Sequence, residues 1–291
     1  MYAITGVTGR IGGDVARRLL AAGKSVRAIV RDRKKAEPWA ALGCEIATAD
    51  LRDARALTAA FQGATAVFIL PPPVFDPGPG YLEAKAVAGA VAAALRAARP
   101  GKAVELSTVG ADAVQDNLLS QHTIIEAALR DLPVPLTVLR PAWFVDNAAW
   151  DVAPARKTGV IQSFLTPLDR KIPMVAAKDV AATVAKLIQE DWSGRRVVEL
   201  EGPDRVSPND LAEAFANTLG KPVRTESVPH NTWEALFRSQ GMKNPIPRIR
   251  MLDGFNEGWL DFPDSGENAI KGPTSAEDVI AELILGRQGE G

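Results

Sequence analysis

Along residues 1–140 the chain alternates two patterns of apolar and polar positions. Short β-branched runs come first: YAITGV, SVRAIVR, CEIATAD, TAVFIL, KAVELST and PLTVLRP. Between them lie stretches with apolar residues at helical spacing: GGDVARRLLAAG, KKAEPWAALG, DARALTAAF, LEAKAVAGAVAAALRAA and SQHTIIEAALRDL. Strands alternating with helices of about 10–15 residues predict βαβ units and a parallel sheet. Such crossovers are right-handed, so helices cover both faces. The runs AVFIL and VELS lack in–out alternation, as expected of strands buried on both sides.

After Arg140 the pattern changes. Residues 143–176 read as irregular. KDVAATVAKLIQED predicts one more amphipathic helix, and RRVVELEG one more strand, at the sheet edge. From Pro203 the chain is rich in Trp, Asn, Pro and Met. SPNDLAEAFANTLG has a Ser ahead of Pro at its start and Gly at its end, the marks of a bounded helix. PVRTESVP reads as a strand, and NTWEALFRSQG, IRMLDGFNEGWL and TSAEDVIAELIL as helices. The expected architecture is α/β: a doubly wound parallel Rossmann sheet with a smaller α+β C-terminal lobe.

Composition narrows the function classes. A net charge of −1 gives no general attraction for nucleic acid or an anionic membrane. The single cysteine, Cys44, forbids an internal disulfide and suits a reducing cytoplasm; it reads as a small buried side chain in a strand. With one Cys and only His122 and His230, no zinc-type ligand set is present, and no metal site is expected. No charged-then-apolar leader precedes the first strand. The longest apolar stretch, Ala84–Ala98, carries Lys85 and Arg96 and reads as a packed helix rather than a membrane span. A small-molecule partner is expected, and a homodimer is left open.

The first strand runs into Gly6-Val-Thr-Gly9-Arg-Ile-Gly12 and then a helix. Gly6 permits a tight exit from the strand, Gly9 lets the backbone approach a pyrophosphate, and Gly12 lets the helix pack on the sheet. Free N–H groups and the helix dipole then face the phosphates. After the second strand comes Arg31-Asp32-Arg33-Lys34-Lys35. Asp32 is placed to hold the ribose 2′-OH of NAD. Arg31, first off the strand, is placed to stack on adenine and reach the 2′-phosphate of NADP. The surrounding cations favour NADP(H) over NAD(H). Asp50 and Leu51, after the third strand, fall near the adenine, where Asp50 could accept the exocyclic amine. Pro71, in the loop leaving the fourth strand, falls beside the nicotinamide.

Tyr81 and Lys85 form a YxxxK, the spacing of a catalytic Tyr–Lys pair. In short-chain dehydrogenases that Tyr follows the fifth strand, which here ends at Ser107. Tyr81 lies on the helix before it, and Tyr2 lies in the first strand, so the standard pair is missing. The expected slot holds Ser120-Gln121-His122, with Glu126 one turn on. His122 there could donate to a carbonyl oxygen; the other reading is a helix His hydrogen-bonded to Glu126. Phe75, His122, Trp143, Phe144 and Trp233 are candidate pocket residues, each aromatic having ordinary core as its alternative.

The segments GVTGRIGG, AIVRDRKKA, ADLRD, LSTVGAD, HTIIEAALRD and TVLRPAWFVDN, in this order, resemble the NmrA-like family of atypical short-chain dehydrogenases/reductases. GPDRVSPNDLAEAF, TWEALFRSQGM and LDGFNEGWLDF extend the resemblance over nearly the whole chain. The family includes NADPH-dependent quinone reductases and proteins that sense NADP(H) without known turnover. The resemblance places the cofactor loop on Gly6, Thr8, Gly9, Arg10, Ile11 and Gly12, and the 2′-phosphate grip on Arg31 and Lys35. Related reductases carry a catalytic Lys near position 122, where this chain has His; other members carry His–xxx–Glu there, as this chain does. The implied domains are 1–150, with 177–201 returning to it, for NADP, and 151–176 with 202–291 for substrate. The implied activity is NADPH-dependent hydride transfer to a small conjugated carbonyl, a quinone first, with His122 as the catalytic candidate. The alternative is an NADP(H)-sensing binding protein. A sugar-nucleotide epimerase is disfavoured by the missing Tyr.

Overall fold

The computed structural model describes residues 1–286, so 287–291 of the expected C-terminal lobe lie outside the described residues. The first part of the chain runs β1 (Tyr2–Thr5), α1 (Arg10–Ala21), β2 (Val26–Val30), α2 (Glu37–Ala41), β3 (Glu45–Thr48), α3 (Ala54–Phe61), β4 (Ala66–Ile69), α4 (Leu82–Ala98), β5 (Ala103–Leu106), α5 (Ser120–Leu129) and β6 (Leu136–Pro141). The remainder runs β7 (Trp143–Phe144), α6 (Val152–Thr158), β8 (Val160–Ser163), β9 (Met174–Val175), α7 (Ala177–Leu187), β10 (Arg195–Glu201), α8 (Pro208–Leu219), β11 (Arg224–Ser227), α9 (Trp233–Ser239), α10 (Ile246–Glu257), β12 (Ile270–Lys271) and α11 (Ala276–Leu285).

One eight-stranded sheet has the order β12-β10-β6-β5-β4-β1-β2-β3, with every pair parallel. Strands β4, β5 and β6 are buried along their whole length, because helices cover both faces. On one face Val15 and Leu19 of α1 and Val180 and Val184 of α7 pack with Ile4, Phe68 and Val104. On the other, Leu57 of α3, Val91 and Leu95 of α4 and Leu129 of α5 pack with Val67, Ile69 and Val138. This is the doubly wound arrangement that the alternating patterns predict.

RRVVELEG joins the sheet as β10, paired with β6, but it is not the edge. The two residues of β12 pair outside it, Leu200 opposite Ile270 and Glu201 opposite Lys271. Residues 143–176 also carry more order than their sequence suggests. β7 pairs with β9, and β8 pairs with β11. Two-residue strands are too short to leave a period-two signal. KKAEPWAALG splits into a 3-10 turn, Arg33–Ala36, and the short α2, with Pro38 in the first helical turn. Cys44 is buried just ahead of β3.

In the C-terminal part, α8 and α11 each start with a reciprocal capping box, Ser207 with Asp210 and Ser275 with Asp278. Their inner faces meet at Phe215, Ile280 and Ile284, against Ala155 and Ile161. Trp233, Phe237 and Phe255 belong to the same continuous core as Ile4 and Phe68.

Candidate functional site

The strand order reverses at β1 and β4: β2 and β3 follow on one side of β1, and β4, β5 and β6 on the other. A crevice must open at the carboxyl ends there. It does, as a groove of about 540 Å³. Thr5 ties its floor: the hydroxyl donates to Phe68 O at 3.0 Å and accepts the Leu70 N–H at 2.8 Å.

At the phosphate end stand Gly6, Thr8 and Gly9. Gly6 has φ +67°, where a side chain is strained, and an added Cβ would lie 2.7 Å from the Leu70 side chain and push it aside. At Gly12 a Cβ would lie 2.4 Å from the Gly6 carbonyl oxygen, so its bareness seats α1 against β1. Gly9 caps α1 without a side-chain hydrogen bond. The first-turn N–H groups of Arg10, Ile11 and Gly12 therefore keep no side-chain partner from the cap, which is the condition a phosphate cradle needs. None of these three residues is a groove wall among the described residues. Arg10 bonds Asp146, whose other oxygen accepts the Ala177 N–H at 2.7 Å.

The opposite end is walled by Arg31, Asp50, Leu51 and, unforeseen in the sequence, Arg52. The Asp50 carboxylate accepts Arg52 Nε–H at 2.9 Å and the Arg52 backbone N–H at 2.8 Å. Those bonds hold Asp50 at a pKa of about 2, below the ordinary carboxylate range. The Asp32 carboxylate accepts the Lys34 N–H at 2.9 Å, caps the 3-10 turn and is not a groove wall. Lys35 is exposed on that turn and is not a wall.

At the third end, Pro71 and Phe75 of the loop after β4 face Leu118, Gln121 and His122 around the start of α5. Gln121 bridges the two sides, its amide donating to Val74 O at 3.0 Å and Leu118 O at 2.9 Å. The His122 ring is half-buried, and its Nδ1 is buried without a hydrogen-bond partner. Burial lowers its pKa to about 4, against the opposing pull of the Glu126 charge, so the imidazole is neutral at pH 7.

Glu126 does not bond His122. It accepts Ser107 Oγ–H at 2.6 Å, Arg140 Nε–H and Nη2–H at 2.9 Å each, and Arg195 at 3.1 Å. Burial alone would raise its pKa; the hydrogen bonds and the two guanidinium charges bring it below the usual value. Beside it, both carboxyl oxygens of Glu105 are buried without partners. Burial, and then the Glu126 charge, push the Glu105 pKa well up, so this acid is protonated.

Tyr81 is not a proton donor to the groove. It is buried at the start of α4 with φ 55°, and its hydroxyl donates to Asn117 O at 2.8 Å. Asn117 in turn accepts the Leu119 N–H, which shapes the turn before α5. Three expected pocket aromatics lie elsewhere. The Trp143 ring meets Phe255 edge-on at 5.1 Å, and Phe144 packs against the core. Trp233 is 1% exposed, with its indole N–H donating to Val228 O. These rings are large enough to fill the C-terminal core, and their packing there leaves none for the groove. Every groove wall among the described residues lies between Thr5 and Ile125.

The NmrA-like family model matches residues 2–254. The chain belongs to the NmrA-like family. This NmrA-like chain is 29% identical to quinone oxidoreductase 2 of Escherichia coli (strain K12), over 91% of each chain. It is 27% identical to NAD(P)H azoreductase of Xenophilus azovorans, over 90% of this chain and 87% of that one. Among solved structures, an NADPH-dependent quinone oxidoreductase from Escherichia coli complexed with NADPH superposes with a TM-score of 0.81 at 26% identity, over 97% and 99% of the two chains.

Proposed function

We propose that this protein is an NADPH-dependent oxidoreductase that reduces a small conjugated carbonyl, a quinone first. The observation that carries the reading is the groove itself. It has a glycine cradle at a helix start, two guanidinium groups where a 2′-phosphate would lie, and an apolar end with one neutral imidazole. The names of the two curated relatives and of the NADPH complex agree with it. Residues 1–150 with 177–201 hold the cofactor, and the later residues back the substrate end from outside the groove walls, through the Lys243 and Asn244 N–H groups that hold Asp76.

When bound, NADPH supplies a hydride. The chain's own contribution is positioning and charge. The first turn of α1 and Thr8 orient the diphosphate, while Arg31 selects the phosphorylated ribose, Asp32 being engaged in its own turn. The neutral His122 N–H donates a hydrogen bond to the acceptor oxygen as negative charge develops on it. The acceptor takes its proton from solvent. A quinone tolerates the missing Tyr, because its reduced oxygen is stabilised by conjugation.

The test is NADPH oxidation followed by absorbance with a panel of quinones, alongside calorimetry with NADP⁺ and NADPH. Turnover is expected. Tight cofactor binding without turnover would replace the enzyme by an NADP(H) sensor, and no binding of either form would end both readings.

A further inference from the structure

Phe75 lines the groove, yet 60% of it is exposed. A ring that size gains strongly from burial, and a free loop would fold it onto nearby apolar surface. This loop is held on both sides of the ring. Ahead of it, the Val74 carbonyl oxygen accepts the Gln121 amide. Behind it, the Asp76 carboxylate accepts the backbone N–H groups of Lys243 and Asn244, both at 2.8 Å, and the Asn244 side chain donates to Pro77 O at 2.8 Å. Pro71, Pro72 and Pro73 fix φ through the approach. The neighbouring walls Val74, Leu118 and Leu119 carry no charge, and His122 is neutral. The arrangement keeps an aromatic ring at the rim of an apolar slot with much of its surface uncovered.

We propose that Phe75 determines acceptor specificity by stacking on a flat, uncharged, conjugated ring system, so that fused two-ring acceptors are preferred over single rings. This rests on the reductase reading of the groove. Asp76 is the positioning residue that keeps the ring there.

The proposal is tested by binding to the full chain saturated with NADP⁺, which cannot turn over. The probes are menadione, with two fused rings, and duroquinone, with one, and affinities come from equilibrium dialysis. Menadione should bind the wild type more tightly, and Phe75→Ala should weaken it about tenfold and erase the preference. Phe75→Trp should keep the preference, whereas Phe75→Leu, apolar without a flat face, should not. Asp76→Ala should shift menadione in the same direction by a smaller factor. Leu82→Ala, 68% exposed and outside the groove walls, is the control and should change neither probe. Equal menadione affinity in the wild type and Phe75→Ala would overturn the proposal, as would a Phe75→Leu variant indistinguishable from the wild type or no binding to the NADP⁺ complex. The expected binding pattern without NADPH oxidation would instead sink the reductase reading and leave the stacking site standing.

Discussion

Arg31 and Arg52 reach the same end of the groove from two neighbouring strands, and they differ in how free their charges are. Arg52 is hydrogen-bonded to Asp50, whereas Arg31 meets Asp50 only through its charge and the Asp32 beside it accepts a bond from its own turn. Arg31→Ala should therefore weaken NADPH binding by about ten- to a hundredfold while barely changing NADH, measured by calorimetry. Equal losses would show that Arg31 does not read the phosphate. His122 gives a pH test. Its pKa of about 4 leaves no charge change near the ordinary value of about 6.5, so turnover should be flat from about pH 8 to about pH 5. The unfolded chain takes up the imidazole proton more readily than the folded one. Stability is thus lost as pH falls from about 6.5 to about 4, and His122→Phe should remove that part of the loss in thermal melts. The glycines and Arg31 were legible in the sequence because their spacing after a strand has one geometric use. Thr5, Arg52 and Gln121 were not, since a hydroxyl, a cation and an amide occur everywhere and acquire meaning only from what faces them.

The helix carrying His122 is anchored by charge as well as by packing. Glu126 on α5 joins Ser107 after β5, Arg140 on β6 and Arg195 on β10. Arg140→Met strips Glu126 of two guanidinium bonds and leaves it to Ser107 and the partly exposed Arg195, so the change should cost about 3 kcal/mol in urea unfolding, the low end for a broken buried pair. Glu105 on β5 acts in the reverse sense. The folded chain keeps its proton where the unfolded chain releases it, so stability declines as pH rises above about 4.3, through the window up to the raised folded value. Glu105→Gln holds no proton to lose and should flatten that slope. At this scale the long strands and helices were plain in the alternation of apolar runs. What the alternation could not carry was Glu126's choice of partner. One turn of helix separates it from His122, but the guanidinium groups come from β6, the next element, and from β10, 69 residues on, and a charge seeks the stronger donors.

The two parts of the molecule share one core, which runs from Ile4 through Phe68 to Trp233 and Phe255. They should melt together, giving one calorimetric transition; two resolved peaks would contradict the shared core. NADP⁺ at about a hundred times its dissociation constant should stabilise the whole by about 2.7 kcal/mol and raise Tm by several degrees. The sequence predicted this architecture but placed the aromatic residues of the later part around a pocket, because side-chain size alone does not tell a lining ring from a buried one. The thin outer strand β12 has a consequence of its own. It covers the end of β10, at Leu200 and Glu201, and Gly272 N–H continues the match by donating to Glu201 O at 2.7 Å. A chain clipped before Ile270 would bare that flank, leave the buried Glu201 without its lysine, and offer neighbouring molecules a template for stacking into aggregates.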